Sequence, residues 1–236
     1  MIFNKFFILF KIGRKIGKSN IINIVSETHK IPVFIKLFFN LLAFSFSSSN
    51  DTKSKGKENL SESIQEMGTT FIKLGQFLAT RPDIIGEKLS KELESLQDKL
   101  PPFSKKEAEK IIIENLGQSN FDDIIDLSEP IAAASIAQVH KAKIKEDNII
   151  KNVAIKVLRP NIKKIFNDEI DAIMLLAYIV ESLISKTKRL KLIEVVFLFK
   201  EITNHEMDLR FEAAAANEYA ENTKNDLGFF VPKIYW

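Results

Sequence analysis

Residues 130–139 read Pro-Ile-Ala-Ala-Ala-Ser-Ile-Ala-Gln-Val, and residues 153–157 read Val-Ala-Ile-Lys-Val. The first stretch reads as a turn rich in alanine, and the second as a strand that carries Lys156. Small side chains let the backbone approach a chain of phosphates, and a lysine on the following strand can reach those phosphates as a point charge. The two stretches therefore predict a small sheet with an anion site beside it.

The segments around this sheet decide the fold class. Two antiparallel strands are predicted at residues 136–145 and 152–158, with a polar turn at Glu146, Asp147 and Asn148 and two later helices at residues 162–185 and 192–222. Earlier, an apolar stripe with spacings of three and four predicts one helix over residues 59–80, formed by Leu60, Ile64, Met67, Phe71, Leu74 and Leu78.

A short helix is then predicted near residues 86–100. Ser104 is the predicted N-cap of a helix that runs through Glu114, because Glu107 stands three residues further on and completes a capping box. The order of helices, a small sheet and more helices predicts an α+β fold.

Positive charge is concentrated in the N-terminal 50 residues of the chain. The first 50 residues hold seven basic side chains against Glu27 alone, which gives +6, whereas the whole chain carries +3. With apolar runs at residues 1–10 and 33–46, this charge favours amphipathic helices on an anionic membrane surface over nucleic-acid binding. Ordinary packing helices are an equally supported alternative. Neither run reaches the roughly 20 residues that a spanning helix needs.

These patterns predict four regions. They are a basic, apolar, amphipathic segment at residues 1–50, a linker at 51–58, a helical extension at 59–129 and a nucleotide-binding lobe at 130–236. The absence of cysteine excludes disulfides and thiolate metal sites. The histidines, His29, His140 and His205, lack metal-ligand spacing, so a structural or surface role is predicted for each.

Three acidic residues follow the sheet. Glu212 is the predicted ion-pair partner of Lys156, because a lysine that grips phosphate must be held in position. On an unbroken helix Asp208 and Glu212 share a face, whereas Glu206 points about 200° away from Asp208. Glu206 and Asp208 are therefore predicted to have different roles. A solvated helix face is the alternative for each acid taken alone.

The sequence Lys73-Leu74-Gly75-Gln76 lies inside a predicted helix. A glycine there costs about 1 kcal/mol relative to alanine, which suggests close packing against another element. Lys73 and Gln76 are three residues apart and project from one side of the helix, so both could reach into a cleft.

Four elements therefore follow one another: the Lys-x-Gly-Gln helix, the alanine-rich turn, the Val-Ala-Ile-Lys strand and Glu206-Met207-Asp208. Their types and order resemble the UbiB family of atypical kinase-like proteins, from about residue 58 to residue 236. The resemblance implies a protein-kinase-like N-terminal lobe with an added helical extension. It also implies ATP or ADP with Mg²⁺ as the cofactor.

The resemblance also implies roles for individual residues. The implied nucleotide-binding positions are Ala132, Ala133, Ala134, Ser135, Ala137, Val139, Lys156 and Glu212. The implied regulatory positions are Lys73, Gly75, Gln76, Glu206 and Asp208. Of these, Lys73 and Gln76 would lie over the cleft where a protein substrate normally enters, and Glu206 and Asp208 would help to hold the helical extension. The implied activity is ATP hydrolysis more than protein phosphorylation, in support of ubiquinone biosynthesis at the cytoplasmic face of a bacterial inner membrane.

The same resemblance places the catalytic-loop and metal-binding aspartates in a second lobe beyond Trp236. No catalytic or metal-binding residue is therefore assigned, and the chain is expected to be truncated, without its C-lobe, and inactive alone. The expected partners are the membrane surface, a separate chain that carries the second lobe, or ubiquinone-biosynthesis proteins, with no nucleic acid. The alternatives are a non-catalytic, membrane-associated interaction or regulatory remnant and a purely structural helical protein.

Overall fold

The computed structural model describes residues 2–19, 21–28, 37, 60–96, 100–146 and 149–236. The apolar run at residues 33–46, the linker at 51–58, the hairpin residues Asp147 and Asn148, and His29 lie wholly or almost wholly outside the described residues. The strands are β1 (Pro130–Ala133), β2 (Ala137–Glu146) and β3 (Ile149–Leu158).

Helices precede and follow these strands. They are α1 (Ile2–Lys18), α2 (Ile21–Thr28), α3 (Leu60–Met67), α4 (Thr69–Ala79), α5 (Pro82–Ile85), α6 (Glu87–Glu94), α7 (Lys105–Leu116), α8 (Gln118–Asp122), α9 (Ile162–Leu183), α10 (Leu192–Glu206) and α11 (Leu209–Asn222), with a 3-10 helix at Ser185–Leu190 between α9 and α10.

The sheet is antiparallel throughout, in the order β1-β2-β3. A three-stranded sheet among helices confirms the predicted α+β class. The β1 strand was not predicted, because the whole alanine-rich stretch reads as a turn in the sequence. The turn itself is Ala134 to Ile136, closed by a 2.8 Å hydrogen bond from the Ala134 N–H to the Ala137 carbonyl.

The two faces of the sheet have different partners. Val153, Ile155 and Val157 alternate along β3 and pack with Ala108 and Ile112 of α7. By the same alternation Lys156, opposite Val139 on β2, points to the other face. The predicted cap of α7 is confirmed, since the Ser104 hydroxyl accepts a 3.2 Å hydrogen bond from the Glu107 N–H.

The core beside the turn is formed by α9 and α10. Phe166 and Phe199 are almost fully buried, and their rings meet edge to face with centroids 5.6 Å apart. Ile136 and Ala137 belong to the same apolar cluster. Burial of these two side chains anchors the alanine-rich turn to the helices behind it.

The helix predicted over residues 59–80 is wrong as a single element. Gly68 has φ +105°, a conformation that side-chain-bearing residues rarely adopt, and it separates α3 from α4. The predicted apolar stripe is buried only in part. Its buried residues are Leu60, Met67 and Phe71, and its partly buried residues are Ile64, Leu74 and Leu78. Leu60 and Ile72 pack with Leu89, Leu93 and Leu96 of the segment that holds α6.

The helix predicted over residues 192–222 is also broken. α10 ends at Glu206, Met207 is buried, and Asp208 is the N-cap of α11, where its carboxylate accepts a 3.2 Å hydrogen bond from the Arg210 N–H. Asp208 therefore does not share a helix face with Glu212, which corrects the geometry expected from an unbroken helix. Aspartate is favoured at the N-cap, where its carboxylate accepts a hydrogen bond from a backbone N–H that has no partner within the helix, and it is less favoured in the interior of a helix.

The first helix packs along the rest of the molecule. Ile12 is buried with Met67, Phe71 and Ala172, and Lys5 forms a 3.0 Å ion pair with Asp171 of α9. Phe6, Phe7 and Phe10 lie on the exposed side of α1. None of the helices within the described residues is both long and apolar enough to cross a bilayer.

Candidate functional site

A cavity of about 310 Å³ lies where the alanine-rich turn, the sheet and three helices meet. Its lining residues are Lys73, Ala134, Ile136, Ala137, Lys156, His205, Glu206 and Glu212. The cavity thus joins residues from the Lys-x-Gly-Gln helix, the turn, the Val-Ala-Ile-Lys strand and the Glu-x-Asp segment. These elements are separated by up to about 140 residues in the sequence, and folding places them around one space.

Lys156 and Glu212 form the ion pair that the sequence predicts. The Lys156 ammonium donates to both carboxylate oxygens of Glu212, at 2.9 and 2.6 Å. The two side chains are 40% and 59% exposed, so the pair stands at the open side of the cavity. It connects β3 to α11 and fixes the direction of the lysine.

A second ion pair closes another side of the cavity. Lys73 Nζ lies 3.1 Å from the Glu206 carboxylate, and the lysine side chain is only 15% exposed. The pair joins the helical extension to the end of α10. It gives Glu206 a role different from that of Asp208, as predicted, because Asp208 caps α11 and binds Arg210 Nε at 2.8 Å. That hydrogen bond from Arg210 holds the pKa of Asp208 well below its usual range.

Gly75 and Gln76 are placed differently from Lys73. A methyl group at Gly75 would lie 2.5 Å from Leu96 Cδ1 and 3.5 Å from Ile64 Cγ2, so the backbone there is closely packed, as the sequence predicts. Gly75 thus faces the interior of the extension. Gln76 is partly exposed and is not among the residues that line the cavity.

Hydrogen bonds from neighbouring elements hold the turn. Arg159 donates to the Ala134 carbonyl from Nε at 3.1 Å and from Nη2 at 2.8 Å, and its Nη1 donates to the Pro101 carbonyl at 3.0 Å. The Thr69 hydroxyl, in the first turn of α4, donates to the Ser135 carbonyl at 3.2 Å. The Ile136 carbonyl accepts a 2.9 Å hydrogen bond from the Arg159 N–H, so all three carbonyls of the turn are restrained from outside it.

The remaining residues implied for nucleotide binding do not line the cavity. Ala132 and Ala133 belong to β1, Ser135 is fully buried, and Val139 pairs with Lys156 across the β2–β3 ladder. Only Ala134 and Ala137 of the implied alanines contribute to the lining, together with Ile136.

A buried polar network lies in β2, directly after the turn. Gln138 accepts from the Phe103 N–H at 3.0 Å and donates to the Phe103 carbonyl at 3.1 Å. His140 contacts the Ser128 carbonyl through Nδ1 and Gln138 through Nε2. Because a carbonyl only accepts, Nδ1 carries the proton and Nε2 accepts from Gln138. His140 has the structural role that the sequence predicts.

His205 is the lining residue whose contribution sequence reasoning missed. Its exposed ring stacks on Phe211 with centroids 4.7 Å apart and an interplanar angle of 28°. The available signal was its position directly before Glu206. The helix break after Glu206 brings His205 and Phe211 together, and that break was not predicted.

The lining residues suit phosphate oxygens better than they suit a metal ion. Lysine ammonium groups and small side chains can receive an anion of phosphate size. Within the part of the chain that the structure describes, no three His, Asp or Glu side chains are grouped to hold a metal ion. The side-chain types of the lining are therefore compatible with an anion of phosphate size.

Comparisons with known proteins identify relatives of this chain. Residues 95–236 match the ABC1 atypical kinase-like domain. A probable protein kinase UbiB of Pseudomonas paraeruginosa is 32% identical over 230 residues, which cover 97% of this chain and 42% of that protein. The proteins of the same name from Marinobacter nauticus and Cellvibrio japonicus are 35% and 34% identical, over 88% and 87% of this chain and 37% of each relative.

The chain spans about two fifths of the length of the curated relatives that it matches. The domain match covers more than half of the chain, and it includes the turn, Lys156 and Glu212. The chain therefore belongs to the ABC1 atypical kinase-like family and is a homologue of the UbiB proteins.

Proposed function

We propose that these residues form the phosphate-gripping lobe of a UbiB-like atypical kinase or ATPase that supports ubiquinone biosynthesis at a membrane. The ion pair between Lys156 and Glu212 beside the alanine-rich turn carries this proposal. It is the arrangement in which a strand lysine, oriented by a helix carboxylate, contacts the phosphates of a nucleotide.

Five of the lining residues then have a chemical task. Lys156 contacts phosphate oxygens as a cation, and Glu212 keeps its ammonium group directed into the cavity. The Ala134 methyl and the restrained turn allow the backbone to approach while limiting its movement, because alanine lacks the conformational freedom of glycine. ATP, when bound, supplies the phosphoanhydride bond. Lys73 and Glu206 hold the helical extension across the cavity and limit access to it.

The experiment measures binding and turnover separately on the 236-residue polypeptide. We expect Lys156-dependent binding of ATP and no magnesium-dependent phosphate release, because the aspartates that the family resemblance assigns to metal binding are not among these residues. Lys156→Ala is the test variant, and Lys110→Ala on α7 is the control, since Lys110 is highly exposed and outside the cavity. ATP binding that is equal in the two variants would overturn the nucleotide site. Phosphate release that Lys156→Ala abolishes would overturn the expected inactivity.

A membrane-binding role is supported by the outer side of α1. Phe7 is 68% exposed, Phe6 and Phe10 are exposed beside it, and Lys11 and Lys18 are exposed further along the helix. Aromatic rings that enter the lipid boundary together with lysines that meet anionic headgroups are typical of helices that lie on a bilayer. Since the curated relatives are bacterial proteins, we propose the cytoplasmic face of the inner membrane as the site of action.

Liposome flotation tests the membrane role. The intact chain should float with anionic vesicles more than with neutral ones, and the variant Phe6→Ser/Phe7→Ser/Phe10→Ser should lose that preference. The matched control replaces exposed apolar residues elsewhere, Tyr178→Ser and Leu183→Ser on α9. If the α1 variant and the α9 control variant floated equally with anionic vesicles, α1 would not be the surface that contacts the membrane. Membrane binding without Lys156-dependent ATP binding would favour the alternative, a non-catalytic interaction or regulatory module.

A further inference from the structure

We propose that His205 is a third phosphate-binding side chain of the cavity. This inference rests on the proposed nucleotide function, and it adds a further side chain that contacts phosphate to Lys156 and its partner Glu212. It concerns the same cavity, of which His205 forms part of the wall.

The charge of the lining residues supports the proposal. Lys156 is paired with Glu212 and Lys73 with Glu206, so these four side chains contribute a net charge of zero. His205 is the remaining titratable residue of the lining. It therefore stands outside both ion pairs, and a ring N–H of histidine can donate a hydrogen bond to a phosphate oxygen.

The geometry supports direct contact with a ligand. His205 is exposed, and its imidazole stacks against Phe211, which follows the break between α10 and α11. The stack fixes the plane of the imidazole and leaves its nitrogens at the ring edge. The charged groups that line the same cavity are Glu206 on its own helix, Lys73 on α4, Lys156 on β3 and Glu212 on α11. No hydrogen bond or ion pair commits the His205 ring to another described residue.

The test compares four forms of the chain at one pH, with tripolyphosphate as the probe. His205→Ala removes the imidazole, His205→Gln keeps a polar side chain without charge, and His205→Arg keeps a planar group that can stack on Phe211 with a permanent charge. Wild type should bind about five-fold tighter than His205→Ala, because that variant loses a hydrogen-bond donor to the phosphate oxygens. His205→Arg should bind tighter than His205→Gln.

Measurement at one pH keeps the charge of the phosphate the same for every form. Lys110→Gln controls for the loss of one positive charge far from the lining residues. Binding by His205→Ala that equals binding by wild type would overturn the proposal, and so would an arginine variant that binds no better than glutamine.

Lys156→Ala separates failure of this inference from failure of the proposed function. If tripolyphosphate binding depends on Lys156 and not on His205, only the inference fails. If wild type shows no binding, or binding that Lys156→Ala leaves unchanged, the nucleotide site and this inference both fail.

Discussion

Lys156 holds a helix that buries none of its own residues. The ammonium group lies 2.9 and 2.6 Å from the two carboxylate oxygens of Glu212, and α11, which carries Glu212, has no buried side chain between Leu209 and Asn222. The stack of His205 on Phe211 is another contact near the first turn of α11, and Tyr219 meets the Phe229 ring edge to face near the C-terminal end of the helix. The position of the helix therefore depends on a few polar and aromatic contacts.

The first prediction concerns this helix. Glu212→Gln should increase amide hydrogen exchange over residues 209–222, because it removes the charge that pairs with Lys156. The free energy of unfolding should fall by less than about 1 kcal/mol, since an exposed ion pair contributes little. Mass-spectrometric hydrogen exchange measures the first effect and urea denaturation the second. Glu218→Gln on the same helix is the control; equal exchange in the two variants would contradict the role given to Glu212.

The second prediction concerns the alanine-rich turn. Arg159→Lys keeps the positive charge and loses the two-point contact with the Ala134 carbonyl, so it should destabilise the turn by about 1–2 kcal/mol. Amide exchange should rise over residues 134–137, and tripolyphosphate binding should weaken. Arg189→Lys, at an exposed position of the 3-10 helix, controls for the chemical change. Unchanged exchange in Arg159→Lys would show that the contact does not restrain the turn.

The third prediction separates helix propensity from packing at Gly75. Gly75→Ala should raise the free energy of unfolding by about 1 kcal/mol, because alanine has the higher helix propensity. The new methyl group would however collide with Leu96, and overpacking of this kind costs about 1–3 kcal/mol. We expect a net loss of about 1 kcal/mol in the free energy of unfolding. In a Leu96→Ala background the same change should become stabilising. Urea denaturation of the four proteins checks this, and a loss that Leu96→Ala does not reverse would point to another obstacle.

The fourth prediction concerns pH and the docking of α1. Burial acts to raise the pKa of Asp171, but hydrogen bonds from Lys5 and Lys200 hold it below the ordinary value for an aspartate. A lowered folded-state pKa contributes stability above the unfolded value of about 3.9, and that stability is lost as the pH falls through the folded-state pKa. Amide exchange in α1 should therefore rise below about pH 4 in wild type. In Asp171→Asn it should already be raised at neutral pH and should change less with acid.

Parts of this structure could be predicted because the signals are local. The α+β class, the cap at Ser104 and the β2–β3 pair follow from residue types at short spacing. The ion pair between Lys156 and Glu212 could also be predicted, although 56 residues separate the two in the sequence, because the order of four elements indicated a kinase-like lobe.

The two helix breaks could not be predicted in this way. Gly68 and Gly75 both stand inside one apolar stripe, yet Gly68 adopts a positive φ and ends a helix while Gly75 remains helical against Leu96. Only packing against other elements distinguishes them. Asp208 is equally ambiguous, since aspartate occurs on helix faces and at N-caps. The position of His205 at the cavity depends on that second break, so it could not be predicted either.

The amide of Gln138 pairs with both backbone groups of Phe103, in the way that a neighbouring strand would. This limits which substitutions the position tolerates. Asparagine is one methylene shorter, and glutamate of the same length has no hydrogen to give to the Phe103 carbonyl or to His140. An apolar residue would leave buried polar groups without partners. A homologue with another residue at position 138 would therefore lose the hydrogen bonds that hold the segment leading into α7, even if it kept every residue that lines the cavity.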